Sequence, residues 1–306
     1  MKCHSTEIRI STHLTIPVKS SIVLMKSGYF YLLSLLSTTQ VSSLRVVVAG
    51  YNKDLAVFEV TGEEISSIWE WRVDQDMTWL QLDGDYIWAG HEVGEYEGRA
   101  GSVVSRWTVL GNGELGRLNS VGTGSVYTAH LLVDKTQGRA YAANYGGSTL
   151  SVISLTDDGR LGELEMVESY GEGCRDASHP HQTVTKDSWV WVVDLGCDTI
   201  WHYRAGDNGL EMVTNTQVRA GAGPRHAVIH PDRDLMFLIC ELQSYVQVYR
   251  YDGGSGGLEL IQELELSSTP GDAGAEILVG PTGEFVYASS RGTGVVVVYR
   301  LYMLYV

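Results

Sequence analysis

Eight residues of this sequence combine side-chain type and position in a way that could do chemistry. His130, His181, Arg225 and Glu276 each open an apolar run, and Asn144, Asp194, Glu241 and Arg291 each close or follow the next one. Arginine presents a planar fork of N–H donors that matches a carboxylate or a phosphate, and histidine or a carboxylate can take and return a proton. Together they would hold an anion and move protons beside it. Sixteen residues separate Arg225 from Glu241, enough for one strand out, a short turn and one strand back, which returns both to the same end of a strand pair.

The elements that must position them recur. Runs ending in Gly50, Gly90, Asn144, Asp194, Cys240 and Ser290 are spaced by 40, 54, 50, 46 and 50 residues, a mean of 48. Within a unit the alternation has period two, as in SYVQVYRYD, where Tyr245, Gln247, Tyr249 and Tyr251 face one way and Val246, Val248 and Arg250 the other. Turn residues such as Pro231-Asp232 and Pro281-Thr282-Gly283 join the runs. Four antiparallel strands per unit make the blade of a β-propeller, so the fold class is all-β, with six repeats recognisable and a seventh expected to be missing. The starts of the first strands and the ends of the second converge on one face, which gathers the eight residues.

Composition limits the partners. The chain has 306 residues with 22 Lys plus Arg against 37 Asp plus Glu, a net charge of −15 spread without blocks, so nucleic acid and anionic membranes are excluded as partners. Cys3, Cys174, Cys197 and Cys240 show no CxxC pairing and are read as ordinary thiols in a reducing, cytoplasmic setting. Residues 1–44 are taken as a leader of undefined structure, and 45–306 as the propeller domain. The apolar stretch Ile22 to Leu36 is broken by Lys26 and Gly28 and is too short to span a membrane. Read from Met25, the leader has the features of a secretory signal. After residue 44 only 262 residues remain, about 5.5 repeats, so the ring is expected to be incomplete at its closure, with Val23 to Leu36 one segment that could cover the gap.

The segments ANYGGSTLSV (143–152), HPHQ (179–182), VVDLG (192–196), AGPRHAVIHPD (222–232), CEL (240–242), AEI (275–277) and ASSRG (288–292) resemble the seven-bladed propeller lactonase family over residues 45–300. That family includes the bacterial-type 6-phosphogluconolactonase and the carboxy-cis,cis-muconate cyclase. The resemblance implies His181, Arg225, Glu241 and Arg291 as catalytic residues, and hydrolysis of an anionic sugar lactone in the pentose phosphate branch of carbohydrate metabolism, with no cofactor and no metal. His130, His179, Asn144, Asp194 and Glu276 are expected to bind substrate. Cys240 stands where the family has Asn, Ser290 replaces the Asn of Asn-Arg-Gly, and Pro180 replaces the Ala of His-Ala-His.

Blander readings stand beside these. Arg225 and Glu241 could be a salt bridge tying one repeat together, His181 a satisfied strand-start histidine, and His179 with His181 a metal pair whose geometry Pro180 disturbs. His130 and Asp194 are divided between lining the site and holding loops, while Asn144 to Gly147 read first as a tight loop needing positive φ. Gly62-Glu63 and Gly111-Asn112-Gly113 are turns, and Trp69, Trp71 and Trp79 fill space between blades. Two alternatives to hydrolysis stay open: a lactone-forming cyclase and a non-catalytic propeller that binds a protein. The oligomeric state is expected to be a monomer or a weak homodimer.

Overall fold

The computed structural model describes residues 6–17, 44–49, 54–61, 64–73, 76–110, 114–171, 174, 177–207 and 209–305. Every regular element among them is a strand, as the period-two alternation predicts. Strand β1 (Thr6–Pro17) stands apart in sequence. The first repeat holds β2 (Leu44–Ala49), β3 (Asp54–Thr61) and β4 (Glu64–Arg72). The second holds β5 (Trp79–Asp83), β6 (Tyr86–His91), an inserted hairpin of β7 (Glu95–Tyr96) and β8 (Arg99–Ala100), then β9 (Val103–Val109) and β10 (Leu115–Gly122). The third is β11 (Thr128–Asp134), β12 (Arg139–Asn144), β13 (Thr149–Leu155) and β14 (Leu161–Ser169). The fourth is β15 (Pro180–Lys186), β16 (Trp189–Asp194), β17 (Thr199–Gly206) and β18 (Gly209–Gln217). The fifth is β19 (Pro224–Ile229), β20 (Leu235–Cys240), β21 (Tyr245–Tyr251) and β22 (Leu258–Glu265), and the sixth is β23 (Gly274–Val279), β24 (Phe285–Ser290) and β25 (Val295–Tyr305).

The chain divides into two compact units, one of Met1–Phe30, Trp189–Arg204 and Met212–Val306, the other of Tyr31–Ser188 and Ala205–Glu211. In the second of these, β2-β3-β4 form a three-stranded sheet, and β5-β6-β9-β10 and β11-β12-β13-β14 form four-stranded ones. In the first, β19-β20-β21-β22 form one sheet, and β23-β24-β25 form another whose fourth, outer strand is β1. Neighbours pair antiparallel. Antiparallel sheets of four strands, recurring at this spacing, are propeller blades.

Burial follows position in the blade. Strands β16 and β20 are buried at all six positions, because both faces of an inner strand are covered. The outermost strands β14 and β22 are largely exposed and rich in Glu, which discourages edge pairing. In the first unit Leu235, Phe237, Val246, Val248, Ile277, Val286, Ala288 and Tyr299 form a continuous core. Trp79 packs on the core around Trp88 and Leu131, and Trp71 on that around Leu55 and Met77, both as space fillers.

Three expectations meet a different outcome or lie outside the description. Cys174 and Cys197 are disulfide-bonded rather than free thiols; Cys240 alone of the described cysteines is free, and burial pushes it up to about 12, so it is inert. The positive φ expected over Asn144 to Gly147 falls instead on Ser148, at 54°. Of the leader, residues 6–17 form β1, paired with β25 over eleven positions from Thr6↔Tyr305 to Pro17↔Val295. The stretch Val23 to Leu36, the signal-like segment from Met25, Cys3, and the turns at Gly62-Glu63 and Gly111-Asn112-Gly113 lie outside the described residues.

Two outcomes follow. Removing residues 1–17 uncovers the outer edge of β25, so the melting temperature should fall by several degrees, given that 1 kcal/mol moves it by roughly 2–4 °C at this size; an unchanged Tm would mean β1 contributes nothing. Burial holds His91 and His202 near pKa 4, well below the ordinary 6.5. The unfolded chain therefore takes up protons that the native chain refuses, and stability present above pH 6.5 is lost as pH falls toward 4. For the fully buried His202 this amounts to ~3 kcal/mol, so His202→Phe should flatten the decline of Tm between pH 7 and pH 5; an equally steep decline would refute it.

A carboxylate between two arginines

The fifth and sixth repeats build the cluster. Strand β19 opens with a bulge: Pro224 pairs with Cys240 and His226 with Ile239, leaving Arg225 with no cross-strand partner. A bulge re-aims the residue it releases. β11 and β23 open with the same irregularity, at Thr128/His130 and at Gly274/Ile277, so the bulge belongs to the repeat and Arg225 exploits it.

Glu241 follows the last residue of β20. Its N–H donates to the Gly223 carbonyl at 2.7 Å, and its own carbonyl accepts from Gly274 N–H at 3.2 Å. Arg291 follows the last residue of β24, with its N–H on the Ala273 carbonyl at 2.8 Å. Thus fixed, Arg225 Nε lies 3.1 Å from Glu241 Oε2, and Arg291 Nη2 lies 2.5 Å from Glu241 Oε1. One carboxylate is shared by two guanidiniums. Arg225 Nη1 also donates to the Ala275 carbonyl at 2.7 Å. Arg225 Nε and Arg291 Nε are both buried without an aligned hydrogen-bond acceptor, so the two guanidiniums lean on the charge of Glu241 rather than on a directed bond from these nitrogens. All three side chains are only 17–24% exposed.

His226 and Glu276 complete the cluster. His226 Nδ1 is 3.0 Å from each Glu276 oxygen. Burial, then the charges of Arg225 and Arg291, hold His226 well below its ordinary value. The imidazole is therefore neutral, and since a carboxylate only accepts, its Nδ1–H donates to Glu276. Arg225 Nη1 lies 3.3 and 3.4 Å from the two ring nitrogens, too even a separation for one directed bond, so the guanidinium rests against the ring. Burial likewise pulls Arg225 down, opposed by Glu276 and Glu241.

Two aspartates hold the loops beneath. Asp198 accepts from Gly221 and Gly223 N–H at 2.7 and 2.8 Å, just ahead of Arg225. Asp272 accepts from Ala273 and Gly292 N–H, both at 2.8 Å, and from Thr293 N–H at 3.2 Å and its hydroxyl at 2.9 Å, just past Arg291. Burial would raise its carboxyl, but hydrogen bonds from the side chains of Ser267, Ser290 and Thr293 and from Ala273 N–H outweigh it and hold the group well below the usual range. A Cβ on Gly292 would stand 2.6 Å from Asp272 Oδ1, so only glycine fits there.

Arg225, Glu241, Arg291 and Glu276 thus come together as expected, with His226 added. Its signal was present in the motif Gly-Pro-Arg-His, but register was needed to see that the residue after the bulge points at Glu276. In the other unit, His181 and His179 surround Tyr145: His179 stacks on the Tyr145 ring at 4.3 Å and takes its place beside the Tyr145 carbonyl at 2.9 Å, and His181 meets the ring edge-on at 5.6 Å.

Three expected substrate-binding residues are differently employed. His130 is 3% exposed, packs on Trp79 at 4.2 Å, and lies 3.4 Å from the N–H of Thr183. It sits at the register position of His226, one past the bulge, whereas the position of Arg225 is taken by Ala129. Asn144 is fully buried, its amide spent on Thr128, Thr149 and Ser151. Asp194 caps its own turn through Gly196 and Cys197 N–H and accepts from Trp201 Nε1, all at 3.1 Å. No group of three or more His, Cys, Asp or Glu residues suited to a metal occurs among the described residues.

Comparison with known proteins agrees with the fold and the motifs. A Lactococcus lactis subsp. cremoris protein is 28% identical over 275 residues, spanning 84% of this chain and 78% of its own. The 6-phosphogluconolactonase of Pectobacterium carotovorum is 31% identical over 198 residues, 61% of this chain and 58% of that protein, so the match spans less than two thirds of that relative. A Lactobacillus plantarum crystal structure superposes with a TM-score of 0.76 at 25% identity, covering 86% of this chain and 81% of that one. The fold is shared as well by a periplasmic gluconolactonase of Pseudomonas aeruginosa, with a TM-score of 0.72 at 20% identity over 80% of this chain and 75% of that one. The family described as lactonase, seven-bladed β-propeller, matches residues 45–303, and the chain belongs to it.

Proposed function

We propose that the protein hydrolyses an anionic sugar lactone without a metal, with 6-phosphogluconolactone as substrate and 6-phosphogluconate, an intermediate of the pentose phosphate pathway, as product. The observation that carries this reading is Glu241 held between Arg225 and Arg291 at 3.1 and 2.5 Å. Relatives named 6-phosphogluconolactonase support the substrate.

In this reading, water attacks the lactone carbonyl, the carbonyl oxygen becomes an oxyanion, and the ring C–O bond breaks. A guanidinium close to that oxygen stabilises the charge as it forms. The proton removed from water passes to Glu241 and is returned from it to the departing ring oxygen. Arg291, whose side chain keeps 24% of its surface exposed, offers the substrate's anionic group a guanidinium beside Glu241. Two carboxylates offset two guanidiniums here, so selection of the anion rests on aimed N–H groups rather than on net charge.

Arg225→Ala and Glu241→Gln should each lower kcat/KM for 6-phosphogluconolactone by roughly 100-fold or more while the circular dichroism spectrum is retained. Wild-type turnover in both variants would reject the assignment and leave a non-catalytic propeller as the reading.

A further inference from the structure

We propose that Glu276, acting through His226, positions the Arg225 guanidinium for the hydrolytic step and does not itself touch the substrate; this rests on the reading that Arg225 and Glu241 carry that step. The bulge that frees Arg225 leaves a long, rotamer-rich side chain to be held by contacts from outside its own strand. The sixth repeat supplies them. Between the pairs Gly274↔Ser290 and Ile277↔Ala288, Ala275 and Glu276 stand against Ser289 alone. The Ala275 carbonyl accepts from Arg225 Nη1 at 2.7 Å, and both oxygens of Glu276 lie 3.0 Å from His226 Nδ1. Fifty residues separate the partners in each case, the same spacing as from Cys240 to Ser290. Two neighbours in one repeat are thus held by the equivalent two in the next.

Glu276 is itself fixed at both ends. Its N–H donates to Ser289 Oγ at 3.0 Å, and its Oε1 accepts from Ile277 N–H at 3.0 Å. A carboxylate held in this way presents a stationary acceptor to the imidazole, which sets both the tautomer and the plane of the ring. The Arg225 guanidinium lies against that ring, with Nη1 3.3 and 3.4 Å from its two nitrogens. The series Ser289, Glu276, His226 therefore ends on Arg225, whose Nε is 3.1 Å from Glu241 Oε2.

Burial and charge separate this role from substrate binding. Side-chain exposure falls from 24% at Arg291 through 20% at Glu241 and 17% at Arg225 to 13% at Glu276 and 2% at His226, so the pair lies at the inner end of the cluster. A second carboxylate also repels an anionic substrate, which makes Glu276 a poor binding group for it. Behind Arg225 the same charge is useful: burial pulls the guanidinium down, and Glu276 is the foremost of the charges that oppose it. The residue keeps Arg225 charged as well as placed.

The test is kinetic, on the full chain with 6-phosphogluconolactone. Glu276→Gln keeps the size of the side chain and removes its charge. It should lower kcat about tenfold or more, since displacing a reacting group by about 1 Å can cost on the order of 100-fold, while KM stays level or falls because the anion then meets one carboxylate instead of two. His226→Ala should lower kcat by a similar factor, and the double variant should lose no more than the worse single one, because the two residues act in series. His226→Asn, whose amide N–H can replace Nδ1–H, should keep kcat within about threefold of wild type, and it decides the matter together with Glu276→Gln if circular dichroism shows His226→Ala unfolded. The proposal is overturned if Glu276→Gln raises KM with kcat unchanged, which would put Glu276 on the substrate, if both variants keep kcat within about twofold of wild type, or if their losses multiply in the double variant. Any of these in a chain whose wild type hydrolyses the lactone sinks this proposal alone. A wild-type chain that does not hydrolyse it sinks the lactone reading together with the proposal.

Discussion

A carboxylate shared by two guanidiniums in a partly desolvated place is stable only if every charge keeps its counterpart, because removing ions from water costs several kcal/mol each. Glu241 is that counterpart for Arg225 and Arg291, and Glu276 provides the second negative charge. The arrangement constrains what lies around it. His226 must stay neutral, since a third positive charge beside the two arginines would go uncompensated, and its N–H to Glu276 is the form that lets it do so. Asp198 and Asp272 spend their oxygens on the loops that deliver the two arginines, which fixes the guanidiniums without adding a competing carboxylate at the ligand side.

The repeat supplies the geometry, and individual copies vary what they place in it. A bulge at the start of the innermost strand frees one residue, which is Ala129 in the third repeat and Arg225 in the fifth. Buried neighbours on either side of His181 give it the same pattern of exposure as Arg225. The residue after the bulge is His130, His226 or Glu276 according to the copy. Chemistry in this protein is thus written into a few register positions, while the inner strands are mostly buried.

That division explains what was legible in the amino-acid sequence. The strands were, because alternation such as that of Tyr245 to Tyr251 and turns such as Pro281-Thr282-Gly283 are local signals. Arg225, Glu241 and Arg291 were, because their place at strand ends follows from counting along a hairpin. That His130 packs on Trp79, with Ala129 at the bulge beside it, was not legible, because a bulge cannot be seen without cross-strand pairing. His226 was missed for the same reason. The pairing of β1 with β25 depends on a contact between segments distant in sequence, for which no local pattern stands, and the bonded state of Cys174 and Cys197 has no CxxC spacing to announce it.

The pairing of β1 with β25 also sets a timetable. Thr6 meets Tyr305, so β1 leaves the ribosome long before its partner β25 is made. At roughly 5–20 residues per second that wait is on the order of 15–60 s, during which an unpaired twelve-residue strand is free to pair with the wrong neighbour. The repeats made in between can fold as they emerge, since each closes on strands close by in sequence. The sixth sheet cannot, since it is complete only once β25 has been made to meet β1.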